Sequence, residues 1–269
     1  MKYKLFISDY DGTLGRKDYV DPSTLEAIKE YERRGGKFII CSGRIIESII
    51  RICKYYGFKG VVGCYQGATL VDIDSGEMLY DFGVDKDIAL SVMKDFVDEG
   101  FDFTVDLGGK RYCRLADDVY MGRYEKFGGS VGVKVSTEEL FEIVKNTTEN
   151  VEKVCAMLDP KLVYPKIEEY NAKYPKDVSF NSGGSIILEC INSKFDKGYA
   201  VKEIAKYYGV PLDQVITIGD STNDVPLVSG PWHGVAVGSG CDQVKAAADE
   251  IANVFDENPV KQMLEKYCL

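Results

Sequence analysis

Two stretches at opposite ends of this chain share one rhythm: a short apolar run, an amphipathic helical pattern, then another short apolar run. Residues 4–8 read as a buried strand, and residues 22–34 as a helix with Pro22 in its first turn behind Asp21 as cap. Residues 37–41 form a second strand pattern. Residues 44–56 give a helix with Ile45, Ile46, Ile49, Ile50 and Ile52 on its apolar side. A third strand at 60–64 leads into a hairpin turning at Asp74-Ser75-Gly76. The rhythm resumes with a helix at 197–208, a strand at 215–218, a short helix at 223–229 and a strand at 234–237. A helix, a short strand and a terminal helix follow. Strands that alternate with helices imply a parallel sheet covered on both faces.

The middle of the chain has a different texture. Helical patterns at 85–99, 137–148 and 160–174 are interleaved with a hairpin at 101–115 around Gly108-Gly109, a strand at 151–158 and two strands near 178–181 and 186–191. Successive strands joined by tight turns predict a largely antiparallel sheet with helices on one face. The fold class is therefore α/β: a Rossmann-like parallel-sheet core with an inserted α+β domain. The boundaries fall at 1–82 and 190–269 for the core and 83–189 for the insert. With 269 residues, the chain exceeds the usual domain size of roughly 100–150 and has room for both.

Composition narrows the chemistry. A net charge of −10 disfavours broad nucleic-acid binding, which needs a basic surface, but leaves room for a small phosphorylated substrate in a local cationic pocket. The chain holds 1 histidine, His233, so a three-His zinc site is impossible and acid–base work falls to carboxylates. His233, between Trp232 and Gly234, reads as structural. None of the 8 cysteines forms a C-x-x-C pair, and a chain this long needs no disulfide staples, so reduced thiols are expected. The first apolar run reaches Asp9 too soon for a signal peptide, and no run approaches the ~18 apolar residues of a membrane helix. A cytoplasmic protein without membrane or nucleic-acid partners is expected.

Three strand ends carry polar motifs, and the ligand-binding edge of a parallel sheet lies at its carboxyl ends. Asp9-Tyr10-Asp11-Gly12-Thr13 follows the first strand. Residues i and i+2 of extended chain share a side, so the Asp9 and Asp11 carboxylates can converge, an arrangement a cation stabilises. Gly12 and Thr13 turn the chain and offer N–H groups to an anion. Ser42-Gly43-Arg44 follows the second strand, with a hydroxyl and helix-start N–H groups suited to an anion. Gly219-Asp220-Ser221-Thr222-Asn223-Asp224 again sets acids at a strand end and suits a hard cation with oxygen ligands. Lys197 stands at the front of a helix, where the dipole disfavours it, which calls for a negative partner. Taken singly, each motif also fits an acidic turn, an ordinary helix cap or a solvated lysine.

Together and in this order, the four motifs resemble the haloacid dehalogenase superfamily of phosphotransferases. The long insert resembles the larger α/β cap of its Cof-type sugar-phosphatase branch. The resemblance spans almost the whole chain and implies roles. Asp9 would be the nucleophile that forms an aspartyl-phosphate. Asp11 would be the general acid for the leaving alcohol and then the base that activates water. Gly12, Thr13, Ser42, Gly43, Lys197 and Asn223 would bind the phosphoryl group, with Asn223 orienting phosphate or Lys197. Mg2+ would be held by Asp9, Asp220 and the backbone carbonyl of Asp11, with Asp224 in support. The expected function is Mg2+-dependent hydrolysis of a small phosphorylated metabolite, a sugar phosphate first.

Some positions depart from the family pattern. Ser42 stands where Thr is commoner, which keeps the hydroxyl. Tyr65-Gln66-Gly67-Ala68 replaces the usual Asn-Gly-Ala, and Gly238-Ser239-Gly240-Cys241 replaces a Gly-Asn-Ala. The cap is expected to set specificity by closing over the core site and excluding water. Arg44, Gln66, and the regions 112–114 and 183–184 are the candidates for contact with the substrate body. A phosphomutase of the phosphomannomutase type is the alternative, since Lys110, Arg111, Arg114 and Arg123 could hold a bisphosphate. A non-catalytic sensor of a phosphometabolite is the third reading, disfavoured by the complete set of acids.

Overall fold

A computed structural model describes residues 1–114, 132–184 and 186–269. The chain divides into two compact units, one of residues 1–80 and 195–269 and the other of residues 81–194.

The first unit is built on a five-stranded parallel sheet in the order Glu250–Ile251, His233–Ala236, Val215–Gly219, Leu5–Ser8, Lys37–Ile40. Every residue of Leu5–Ser8 and Val215–Gly219 is buried, as a strand covered on both faces requires. On one face, Phe6, Ile216 and Ile218 pack with Ile28 and Tyr31, Ile49 and Ile52, and Val260 and Met263. These come from the helices Pro22–Arg33, Ile46–Tyr56 and Pro259–Tyr267. On the other face, Leu5, Ile7 and Val215 meet Ala200, Val201 and Ile204 of helix Lys197–Tyr208, with Leu227 and Trp232. The expected cap of the first helix is present: Asp21 Oδ1 accepts from Ser23 N at 2.8 Å.

The third strand behaves differently from its neighbours. Val61–Cys64 pairs antiparallel with Thr69–Asp72, which continues through a turn to Met78–Asp81. Among the described residues it meets the parallel sheet at one bridge, Cys41 to Gly63. A Gly63 side chain would stand 2.8 Å from Cys41 Sγ, so the glycine is what permits this approach.

The second unit has its own sheet, ordered Val133–Lys134, Lys110–Arg114, Asp102–Leu107, Val151–Met157, Ile187–Asn192, Val178–Gly184. The pairings are antiparallel except for Val133–Lys134, which runs parallel to Lys110–Arg114. Gly108 and Gly109, with φ of 57° and 74°, make the tight turn of the hairpin, a conformation that glycine adopts without steric cost. Helices Lys86–Asp98, Thr137–Asn146 and Pro160–Lys173 cover one face around Phe96, Phe103, Val154, Tyr170 and Phe180.

Of the basic residues named for a bisphosphate, Arg111 forms a buried two-point pair with Asp106, and Arg114 donates to Thr137 Oγ1 and the Phe101 carbonyl. Arg123 lies outside the described residues. His233 is structural here: its ring stacks on Tyr3 at 5.5 Å and its Nε2 lies 3.2 Å from Glu250. All eight cysteines are free. No helix among the described residues is long and apolar enough to cross a membrane.

Candidate active site

Sheet register brings the motifs together. Ser8 is level with Ile218 on one side and Ile40 on the other, so Asp9, Gly219-Asp220 and Cys41-Ser42 leave adjacent strands at the same height. Asp9 N donates to the Ile218 carbonyl and Cys41 N to the Ser8 carbonyl, both at 2.9 Å.

Lys197 is the electrostatic centre of this edge. Its side chain is fully buried, and Nζ donates to Asp9 Oδ1 and Asp224 Oδ1, each at 2.6 Å. These are the negative partners that a lysine at a helix start requires. The preceding Asp196 caps the helix through Tyr199 N at 2.8 Å. A Cβ on Gly198 would come within 2.6 Å of the Pro226 carbonyl, so the glycine lets this helix end press against the 225–228 turn. Burial works against the ammonium, but Asp224 and Asp9 outweigh it and raise the Lys197 pKa, so the side chain is held charged.

Asp9, Asp220 and Asp224 each offer an oxygen within 4.8 Å of the others. Asp224 is saturated: Oδ1 takes Lys197, and Oδ2 accepts the backbone N–H groups of Asp220 and Ser221 at 3.0 Å. Asp220 Oδ1 accepts from Thr13 Oγ1 at 2.7 Å, and its backbone carbonyl accepts from Cys241 N at 2.8 Å. Asp9 Oδ2 has no hydrogen-bond partner among the described residues. Burial, then Asp224, push the Asp9 carboxyl well above its ordinary range against the pull of Lys197, and burial likewise raises Asp220. Fully ionised, the three carboxylates would exceed the one ammonium by two negative charges. Hard oxygen donors with that excess fit a divalent cation of the magnesium or calcium kind.

Asp11 stands apart from this cluster. Its half-exposed carboxylate is gripped at two points by Arg44, Nε to Oδ2 and Nη2 to Oδ1, both 2.7 Å. Arg44 is thus engaged with a neighbouring acid in this structure. Gly12, at φ 87°, lies so near Asp220 that a Cβ would sit 2.7 Å from Oδ2. The Gly12 N–H donates to the Gly15 carbonyl at 2.9 Å, which engages a donor that the sequence reading reserved for an anion.

Ser42 is buried, and its Oγ accepts from Arg44 N at 3.2 Å. Gly43 lies under Gln66, whose Nε2 would be 2.2 Å from a Gly43 Cβ. Tyr65 and Gln66 hold positive φ values of 48° and 61°, a costly pair for residues with side chains. Asn223 Nδ2 donates to Gln66 Oε1 at 2.7 Å, so Asn223 orients Gln66. The Cys41 thiol, behind Asp9, is pushed by burial up to about 12 and is no nucleophile.

Sequence reasoning named Asp224 but missed the residues that hold the site's charged groups in place. Ser221 and Asp224 form a reciprocal cap, whose signal is a Ser three residues before an Asp. Asp18 and Lys17 also hold Arg44, and nothing in the sequence marks them.

A family model described as haloacid dehalogenase-like hydrolase matches residues 6–264. Phosphatase YwpJ of Bacillus subtilis is 25% identical, over 97% of this chain and 99% of that protein. The 5-amino-6-(5-phospho-D-ribitylamino)uracil phosphatase YwtE of Bacillus subtilis is 25% identical, over 98% of this chain and 97% of its own length. Among solved structures, the HAD subclass IIB sugar phosphatase BT4131 superposes with a TM-score of 0.80 at 20% identity, covering 98% of each chain.

Proposed function

This chain belongs to the haloacid dehalogenase-like hydrolases, and we propose that it is a Mg2+-dependent phosphatase that hydrolyses a small phosphorylated metabolite, a sugar phosphate first, through an aspartyl-phosphate on Asp9. The observation that carries this reading is the cluster of buried Asp9 and Asp224, both paired with Lys197, and half-buried Asp220, which holds a carboxylate nucleophile beside an excess of negative charge that a dication would balance.

The chain's own residues divide the work. Asp9 Oδ2 is the unpartnered oxygen and attacks phosphorus, while Lys197 fixes Oδ1 and offsets the repulsion between carboxylate and phosphate dianion. The P–O bond to the alcohol breaks, and the departing oxygen takes a proton from Asp11. Asp11 then takes a proton from water, the water oxygen attacks phosphorus, and Asp9 is released. Ser42 and Lys197 bind the transferring group. Asp9, Asp220 and the Asp11 backbone carbonyl would hold the ion, with Asp224 behind them. A bound Mg2+ supplies neutralisation of charge between the nucleophile and the phosphoryl oxygens.

Residues 83–189 form the inserted cap domain in this reading, supported by the separate sheet and apolar cluster of that part of the chain. Hydrolysis is favoured over mutation because Arg111 and Arg114 are engaged within their own unit. The eight free cysteines support a reducing, cytoplasmic setting.

The test is phosphate release by purified protein from p-nitrophenyl phosphate and from a panel of sugar phosphates with Mg2+. Asp9→Asn should lower turnover by ~10³-fold or more, as loss of a covalent nucleophile does. Undiminished turnover in that variant ends the proposal.

A further inference from the structure

Arg44 makes more contacts than a substrate ligand waiting for its ligand would. Besides its two bonds to Asp11, Nη2 donates to the Lys17 carbonyl at 2.9 Å, Nη1 reaches Asp18 Oδ1 at 3.4 Å, and Nη1 lies 3.5 Å from Ser48 Oγ. The guanidinium also lies over the Tyr10 ring, 4.7 Å from its centroid. Its own backbone N–H is held by Ser42 Oγ and its carbonyl accepts from Tyr65 N at 3.1 Å. Asp18 is braced in turn: Arg51 Nη2 binds its Oδ2 at 3.0 Å, and Tyr56 OH donates to its carbonyl at 2.8 Å. Lys17, whose carbonyl Arg44 holds, sits at φ 57°. A side chain so tied on the far side of its fork, and presenting two parallel N–H groups to one carboxylate, has the geometry of a jig.

We propose that Arg44 is a positioning residue for Asp11, braced by the Lys17-Asp18 turn and Arg51, and that it acts on the proton-transfer steps through Asp11 rather than by binding the substrate. The inference rests on the hydrolase reading above and deepens it. In the first step Asp11 gives its proton to the alcohol oxygen as the P–O bond breaks. The demand for that proton depends on the leaving group. A sugar alkoxide needs it, whereas p-nitrophenolate departs without it. In the step that forms the aspartyl-phosphate, a residue that aims Asp11 therefore matters for the first and little for the second, whereas the later attack of water, in which Asp11 is the base, is common to both. A structural residue, or a ligand of the phosphoryl group, would matter equally for both.

The experiment follows release of the alcohol in a single turnover, which reads the first step alone, for wild type, Arg44→Ala, Arg44→Lys and Asp11→Asn on p-nitrophenyl phosphate and on a hexose 6-phosphate. Expected for Arg44→Ala is a ~10²-fold slower release of the sugar from the hexose ester, the scale of a misplaced catalytic group. KM should stay within about twofold, and the first-step release of p-nitrophenolate should slow by under about fivefold. Arg44→Lys keeps the charge without the fork and should show the same split, so the test stands if Arg44→Ala folds poorly. Asp11→Asn should show the same dependence on leaving group, and adding Arg44→Ala to it should cost little more. Equal losses on both esters, or a loss carried by KM, overturn the proposal while leaving the hydrolase reading intact. Failure of the wild type to release phosphate from either ester overturns both.

Discussion

The hydroxyl of Thr13 donates to Oδ1 of Asp220 at 2.7 Å, across 207 positions of sequence. It fixes one oxygen of Asp220; the other, Oδ2, accepts from Ser221 Oγ at 3.4 Å and lies 2.7 Å from where a Cβ on Gly12 would stand. Thr13→Val removes the hydroxyl and keeps the branched shape. The apparent Mg2+ affinity should fall ~10–100-fold, the usual cost of losing a bond that orients a metal ligand. Turnover at saturating Mg2+ should return close to wild type. A Mg2+ titration of phosphate release reads both.

Charge excess at the site makes a second expectation. Without a cation, Asp220 adds repulsion to a buried cluster, and burial already raises its pKa. Asp220→Asn should therefore melt at a higher temperature than wild type in chelator, and should lose the stabilisation that Mg2+ gives. For wild type that gain is about 2.7 kcal/mol at a hundredfold excess over Kd. Paired melting curves with chelator and with Mg2+ check the crossover.

Glu152 lies in the second unit, buried at the irregularity of strand Val151–Met157. Burial, then Asp81, push its carboxyl up to about 8, and its Oε1 accepts from Gly109 N at 2.9 Å. A raised acid keeps its proton in the folded state while the unfolded chain loses it near 4.5. Its contribution to stability is thus complete below that value and declines as pH rises to about 8, by a few kcal/mol on the order-of-magnitude scale of such shifts. Glu152→Gln keeps the acceptor for Gly109 and should flatten this decline. Denaturation midpoints at several pH values between 4.5 and 8 measure it.

Gly234→Ala addresses the packing of the core strand His233–Ala236. An added Cβ would fall 1.7 Å from the Val228 carbonyl oxygen, a backbone atom that cannot step aside. A loss of about 1–3 kcal/mol is expected from forced overpacking. It should appear as a lower urea midpoint with an unchanged slope.

The parts of this protein that local chemistry dictates were legible in its residues. Apolar runs at 4–8 and 215–218 marked strands that the structure buries on both faces at Leu5–Ser8 and Val215–Gly219, and Asp21-Pro22 marked a helix start that the structure places there. The acids were visible because each follows such a run. Partnerships across the sheet edge were not. That Arg44 closes on Asp11, and that Asn223 reaches Gln66, depends on which loops meet once the sheet has formed. The antiparallel pairing of Val61–Cys64 with Thr69–Asp72 was equally hidden, because its apolar run has the same pattern as a parallel strand. The left-handed pair Tyr65-Gln66 has no local signal at all, since neither residue favours that conformation.

Asp9 and Lys197 touch, yet 188 positions separate them. At ~5–20 residues per second, about 10–40 s of synthesis pass between making one and making the other. Throughout that interval Leu5–Ser8 waits for Val215–Gly219, its neighbour in the sheet, with an apolar strand edge open. Lys37–Ile40 can occupy the opposite flank at once, being close in sequence. Growth on the ribosome therefore passes through a half-built layer with a naked acid at its rim, and such a nascent chain is one on which a holding chaperone would find a grip.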